Sequence, residues 1–80
     1  MVIKILGSGC ANCRKLEERA REAVGKAGVD AEIVKVQDLA EIMAFGVMST
    51  PALVVDEEVE VAGRVPAVDE IVGMLTRAAG

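Results

Sequence analysis

The chain has 80 residues, a formal net charge of −4 and an apolar fraction of 52%. This length allows one small domain with a thin core, and the apolar fraction is too high for a disordered protein. The acidic charge and the single aromatic residue, Phe45, argue against nucleic-acid binding, which uses basic patches and stacking rings. Because the chain has no histidine, catalysis by a Ser-His-Asp triad or a Cys-His pair is excluded.

The apolar runs of the sequence are too short to cross a bilayer as a helix, so we expect no membrane partner. The opening residues, Met1 to Ile5, lack the basic start, apolar stretch and cleavage site of a signal peptide. We therefore expect a cytoplasmic protein. Two cysteines are too few for a disulfide scaffold, and a close pair in a reducing compartment favours redox or metal chemistry.

The first half of the chain predicts two strands, each followed by a helix. Asp38 is placed to cap the second, shorter helix, on which Met43 is expected to fill the core. The predicted elements are a strand at Val2–Leu6, a helix from Cys10 or Ala11 to Ala27, a strand at Ala31–Val36 and a helix carrying Leu39, Ile42, Met43 and Phe45.

The second half predicts a hairpin and a final helix. Alternation on the second hairpin strand predicts that Val59 and Val61 face the core while Glu58 and Glu60 face water. The predicted elements are a strand at Ala52–Val55, a turn at Asp56 and Glu57, a strand at Val59–Ala62, and a helix that begins near Pro66 and buries Val68, Ile71, Val72 and Leu75. The order is βαβαββα, which predicts one α/β domain over residues 1–80 with helices on both faces of a four-stranded mixed sheet.

Cys10 and Cys13 stand three positions apart at the start of the first predicted helix. That spacing allows a disulfide, which needs Cα atoms about 4.4–6.8 Å apart. Unpaired backbone N–H groups and the helix dipole favour a thiolate at the tip, so we expect Cys10 to be the nucleophile. Cys13, one turn further in, is expected to resolve the mixed disulfide. The alternatives are two ordinary buried cysteines or a pair of metal ligands.

Side chains next to the two cysteines are expected to influence the pKa of Cys10 and to contact the substrate. Positive charge close to a thiol lowers its pKa, and Arg14, Lys15 and Lys4 are the candidates for this effect on Cys10. The two residues between the cysteines, Ala11 and Asn12, are candidate substrate contacts, and Asn12 is able to cap the helix or to hydrogen-bond near the sulfurs.

A second motif, Ser49-Thr50-Pro51, precedes the third predicted strand. A proline there is permitted simply as the first residue of a strand. Together with the cysteines it favours a substrate groove, in which the backbone N–H and C=O of Thr50 pair with an extended partner segment. Met48 and Val47 would line this groove.

The element order, with Cys10-x-x-Cys13 followed by Thr50-Pro51, resembles the thioredoxin superfamily over nearly the whole chain. The runs Gly9-Cys-Ala-Asn-Cys-Arg-Lys-Leu-Glu and Gly46-Val-Met-Ser-Thr-Pro-Ala-Leu-Val are similar to its short, glutaredoxin-sized members, often called redox-active disulfide proteins. The resemblance implies a thioredoxin-like fold and a cis Thr50–Pro51 bond. It also implies a thiol–disulfide oxidoreductase, here expected to be monomeric, that reduces protein or small-molecule disulfides without a bound cofactor. A separate reductase or thiol reductant would restore the dithiol.

The same two cysteines, Cys10 and Cys13, also suit a copper or zinc module, because thiolates select soft ions. A Gly-Cys-x-x-Cys loop after a strand resembles that of small copper-chaperone domains, whose element order is βαββαβ. The helix after the second strand, followed by Thr50-Pro51, favours the redox interpretation. One chain with two cysteines and no histidine cannot close a four-ligand zinc site, whereas a bridged dimer can. A thioredoxin-like adaptor without thiol chemistry is the third possibility.

Overall fold

A computed structural model describes residues 1–7, 9 and 11–80 of the chain. Its elements are β1 (Val2–Leu6), α1 (Ala11–Ala27), β2 (Glu32–Val36), α2 (Leu39–Ala44), β3 (Ala52–Val55), β4 (Glu58–Ala62) and α3 (Val68–Ala79). The predicted order βαβαββα is confirmed. Among these residues, no helix is both long enough and apolar enough to span a membrane.

The four strands form one mixed sheet in the order β2-β1-β3-β4. β1 runs parallel to β2 and antiparallel to β3, and β3 and β4 form an antiparallel hairpin. The two central strands are covered on both sides, and all four residues of β3 are buried. This confirms the predicted α/β fold and explains why Ala52–Val55 is an unbroken apolar run.

Each face of the sheet carries its own apolar cluster. On one face α1 and α3 pack against β1 and β3 through Leu16, Ile71 and Leu75, which are fully buried. On the other face α2 contributes Ile42, which packs with Leu6 and Val54 of the sheet. Helices therefore lie on both faces, as predicted.

The predicted alternation on β4 is wrong because the hairpin contains a bulge. Leu53 pairs with Val61 while its neighbour Val54 pairs with Val59, so Glu60 is an extra residue on β4. Val61 then joins the core on the α1 and α3 side, whereas Val59 turns away from it and is 40% exposed. The turn itself lies at Asp56 and Glu57 as predicted, and both residues have positive φ angles.

The core role predicted for Met43 is also wrong. Met43 is 64% exposed and Leu39 is 67% exposed, because the six-residue α2 covers the sheet with Ile42 and the following Val47. Smaller differences occur at element ends. β2 begins one residue after Ala31, β4 includes Glu58, Pro66 precedes the N-cap of α3, and Val68 and Val72 are only partly buried.

Asp38 caps α2 as predicted, since its carboxylate accepts a hydrogen bond from the backbone N–H of Ala40 at 2.9 Å. Replacing Asp38 with Ala should lower the free energy of unfolding by about 1 kcal/mol, because that N–H loses its partner. Urea denaturation measures the change, with Asp30→Ala in the exposed α1–β2 connection as the charge-matched control. Equal midpoints for the two variants would contradict the capping role.

Candidate active site

Cys13 lies in the first turn of α1 and points into the protein. It is 5% exposed, and it shares the buried stripe of the helix with Leu16, Ala20 and Ala23. This spacing of three and four residues is the one that turns a single helical face towards a sheet. The sulfur of Cys13 is therefore fixed by the same packing that holds α1 in place. Cys10, the predicted nucleophile, lies outside the described residues.

Gly7, directly after β1, is the residue that makes room for this sulfur. A Cβ built on Gly7 would overlap Cys13 Sγ and would lie 3.9 Å from Thr50 Cβ. The backbone N–H of Gly7 donates to the carbonyl of Val36 at 3.0 Å, so this position is tied to β2. Gly7, Cys13 and Thr50 therefore meet at one end of the sheet.

The Thr50–Pro51 peptide bond is cis. Pro51 is buried, and its carbonyl accepts a hydrogen bond from the backbone N–H of Gly63 at 2.9 Å. A Cβ on Gly63 would approach Ser49 Cβ to 3.1 Å, so the end of β4 lies tightly against this loop. Thr50 itself stays exposed, which leaves it accessible beside the buried Cys13.

A cleft of about 200 Å³ opens at Cys13 between α1 and β2. Its charged and polar lining side chains are Arg14 and Glu17 from α1, Lys35 from β2, and Gln37 just after β2. The rest of the lining comes from Ile5, Gly7, Gly9 and Cys13. A nearly buried thiol thus borders a cleft that carries two cationic groups and one carboxylate, and we name this space the Cys13 cleft.

Glu17 is the carboxylate of the Cys13 cleft, and two cations hold it. Arg21, one turn further along α1, donates to it at 2.8 Å, and the ammonium of Lys35 lies 3.7 Å away. The hydrogen bond from Arg21 and the charge of Lys35 lower the pKa of Glu17 below its ordinary value. The side chain is only 17% exposed, so its position is more restricted than that of a typical surface acid.

A second, mainly apolar cleft lies on the other side of Thr50. It measures about 350 Å³ and is lined by Leu39, Ile42, Met43, Val47, Met48 and Thr50. Met48, which the sequence predicts to line a substrate groove, is 97% exposed. We name this space the Met48 cleft.

The three basic residues proposed to tune Cys10 occupy different surroundings. Arg14 lines the Cys13 cleft, and Lys15 is exposed on α1. The ammonium of Lys4 instead pairs with Glu57 at 2.8 Å and lies 5.2 Å from the centre of the Phe45 ring. Lys4 is therefore engaged on the α2 side of the sheet.

Ala11 and Asn12, the proposed substrate contacts, are exposed in the first turn of α1. The residues that sequence reasoning missed are Gly7, Glu17, Lys35 and Gln37. The i,i+4 spacing from Cys13 to Glu17 was a visible signal, because residues four apart share a helix face.

Comparison with known proteins tests the resemblance. A family model described as a thioredoxin domain matches residues 1–76. The chain belongs to the thioredoxin family. This thioredoxin-family chain is 45% identical over 76 residues to a thioredoxin of Methanothermobacter thermautotrophicus, an alignment that covers 95% of this chain and 99% of the relative. It is 42% identical over 71 residues to a thioredoxin of Methanocaldococcus jannaschii, an alignment that covers 89% of this chain and 81% of that relative.

A solved structure also matches this thioredoxin-family fold. It is thioredoxin 1 from Thermosipho africanus, with a TM-score of 0.67, 15% identity, and coverage of 99% of this chain and 94% of that one. Family membership makes the protein a thiol–disulfide oxidoreductase by class. Outside Ser8 and Cys10, which the structure does not describe, no three acidic or cysteine side chains are grouped to hold a metal ion.

Proposed function

We propose that the protein reduces disulfides through Cys10 and Cys13, with Cys10 as the nucleophile and Cys13 as the resolving thiol. The thiolate of Cys10 attacks one sulfur of a substrate disulfide, and the other substrate sulfur leaves as a thiolate. Cys13 then attacks the Cys10 sulfur, which forms the Cys10–Cys13 disulfide and releases the second substrate thiol. Two electrons move from the protein to the substrate without a bound cofactor, and a separate reductase or thiol reductant restores the dithiol.

One observation carries this proposal. The sulfur of Cys13 and the side chain of Thr50 both lie at the position that a Cβ on Gly7 would approach, although the two residues are far apart in the sequence. Burial suits Cys13 to a second, intramolecular step, because a cysteine that is only 5% exposed is shielded from large disulfide substrates. The exposed Thr50 lies beside this sulfur, where we expect a substrate segment to bind.

The Met48 cleft favours a polypeptide substrate. Met48, Met43 and Leu39 are each more than 60% exposed and line one cleft together with Thr50. An extended segment that pairs with the backbone of Thr50 would place a neighbouring apolar side chain in this cleft. Such burial adds affinity for proteins, whereas a small disulfide makes no use of it. We propose that Ala11 and Asn12, exposed between the two cysteines, contact the same segment.

Trapping tests the roles of the two cysteines. Incubation of the Cys13→Ser variant with a disulfide-containing protein should accumulate a mixed disulfide through Cys10, because the resolving thiol is gone. The matched Cys10→Ser variant should trap little, since its remaining thiol is buried. Non-reducing gel electrophoresis and peptide mass mapping measure both products. A trap through Cys13 that is as strong as the one through Cys10, or no trap through either, would contradict the mechanism.

A redox titration separates this proposal from the metal module. A reversible Cys10–Cys13 transition between about −200 and −270 mV is expected for a reductant of this type. Thiols protected only by Cu(I) or Zn(II) would favour metal transfer instead. The observed element order already differs from the βαββαβ order of copper chaperones.

We propose that the protein acts in the cytoplasm, where a close pair of cysteines is typically redox-active. We also propose that it acts as a monomer, since the exchange step uses two thiols of one chain.

A further inference from the structure

The proton of Cys13 needs a route out of the protein. Cys13 is 5% exposed, and a thiol must lose its proton before or while it attacks a disulfide. The Cys13 cleft connects this residue to solvent, and Glu17 lines the same cleft. Residues 13 and 17 stand one helical turn apart on α1, so their side chains lie next to each other on the helix surface.

We propose that Glu17 accepts the proton of Cys13, directly or through a cleft water, as Cys13 resolves the mixed disulfide. This inference rests on the proposed function and assigns a group to its second step. Before the step, Cys13 carries S–H and Glu17 is ionised. As the Cys13 sulfur bonds to the Cys10 sulfur, its proton passes to the Glu17 carboxylate. The bond from Cys10 to the substrate sulfur breaks, and the substrate thiolate leaves with the electron pair and then takes up a proton.

A carboxylate is a weaker base than a thiolate, so full transfer before attack is unfavourable. The thiol proton becomes more acidic as the new S–S bond forms, because the sulfur then gives up electron density. General base assistance at that stage suits a group that is already ionised and close to the thiol. Glu17 meets the first condition throughout the neutral range, because a glutamate is ionised there at its ordinary pKa and the contacts with Arg21 and Lys35 lower that pKa further. It meets the second condition because it lies one helical turn from Cys13 and lines the same cleft.

The charged groups around Glu17 keep its carboxylate ionised and hold it at the cleft. Arg21 on the same helix donates to it, Lys35 approaches from β2, and Arg14 lines the same cleft. β1 presents Ile5 and the adjoining Gly7 to the cleft, and neither carries a charge. The two cations nearest to Glu17 offset its negative charge, which would otherwise oppose a thiolate at Cys13.

Reaction of the reduced protein with the aromatic disulfide dithiobis(nitrobenzoate) tests the proposal by stopped flow. The coloured thiol is released once when Cys10 attacks and a second time when Cys13 resolves, so the two steps are separate phases. In Glu17→Gln the second phase should slow by at least about tenfold near pH 7, since general base assistance contributes about 10²–10⁴-fold. The first phase should not slow, because Glu17 takes no part in it.

The sign of the effect distinguishes proton transfer from electrostatics. Loss of the negative charge favours the Cys13 thiolate, so a purely electrostatic Glu17 predicts an unchanged or faster second phase. Glu17→Asp should retain part of the rate because it keeps a carboxylate. Glu22→Gln is the matched control, since it removes an exposed acid that pairs with Lys26 on the same helix, and both of its phases should match those of the unaltered protein.

Two outcomes would overturn the assignment: a second phase in Glu17→Gln that is as fast as in the unaltered protein, or an equal slowing in Glu22→Gln. Failure of the proposed function would be seen in a different measurement, the number of coloured thiols that the unaltered protein releases. If the unaltered protein itself releases the coloured thiol only once per chain, Cys13 does not resolve the mixed disulfide.

Discussion

Replacing Gly7 with Ala should lower the free energy of unfolding by about 1–3 kcal/mol and slow the second step of disulfide exchange. Gly7 is buried, and the added Cβ would overlap Cys13 Sγ, so either the strand end or the start of α1 has to move. The φ angle of Gly7 lies outside the left-handed region, so the effect comes from lack of space rather than from the backbone conformation. Urea denaturation of the reduced protein and the two-phase release assay measure the two effects.

Gly25 provides a matched control for Gly7. It lies within α1, and a Cβ there would meet nothing within 4 Å. Gly25→Ala should raise the free energy of unfolding by about 0.5–1 kcal/mol, because alanine loses less entropy in a helix than glycine does. Replacing glycine with alanine should thus lower the free energy of unfolding at position 7 and raise it at position 25. Equal stabilisation of both variants would show that Gly7 is not needed to accommodate the sulfur of Cys13.

Replacing Leu53 with Ala should lower the free energy of unfolding by about 2–5 kcal/mol, a typical cost of truncating a buried leucine. Leu53 lies on the central strand β3, is fully buried and packs among the side chains of α1 and α3. The total stability of an 80-residue domain is about 4–12 kcal/mol, so this loss is a large part of it. Thermal unfolding followed by circular dichroism provides the measurement.

Leu39→Ala is the control for Leu53→Ala. Leu39 is 67% exposed on α2, so its truncation removes little buried area and should change stability by about 0.5 kcal/mol or less. A Leu39 effect as large as that of Leu53 would mean that the outer side of α2 is covered in solution, for example by a second copy of the chain. The same variant should weaken binding of protein substrates if the Met48 cleft receives them.

The sequence was a good guide wherever one local pattern had one structural solution. Ala52–Val55 is a continuous apolar run after a proline, Val2–Leu6 is apolar apart from Lys4 and precedes a glycine, and the bounds of both strands were predicted without error. The N-cap at Asp38 and the turn at Asp56 and Glu57 were predicted correctly for the same reason, since caps and tight turns depend on a few neighbouring residues.

Patterns that depend on pairing with another element were less informative. The alternation of Val59 and Val61 predicted one buried face, but the bulge opposite Leu53 and Val54 places the two valines on different sides. Met43 has the same apolar character as Met74, yet only Met74 is buried, because α3 lies across the sheet while α2 is a short cover.

For the candidate active site, the sequence by itself predicted the residues that carry the chemistry: two cysteines three positions apart, and a Thr-Pro pair before a central strand. Chain order and spacing are enough for this, because a helix start fixes the distance between residues three apart. Only the tertiary structure decided that Gly7 leaves room for Cys13 beside Thr50, and that Lys35 of β2 reaches Glu17 of α1. Those contacts join residues distant in the chain, and they depend on how the helices pack on the sheet.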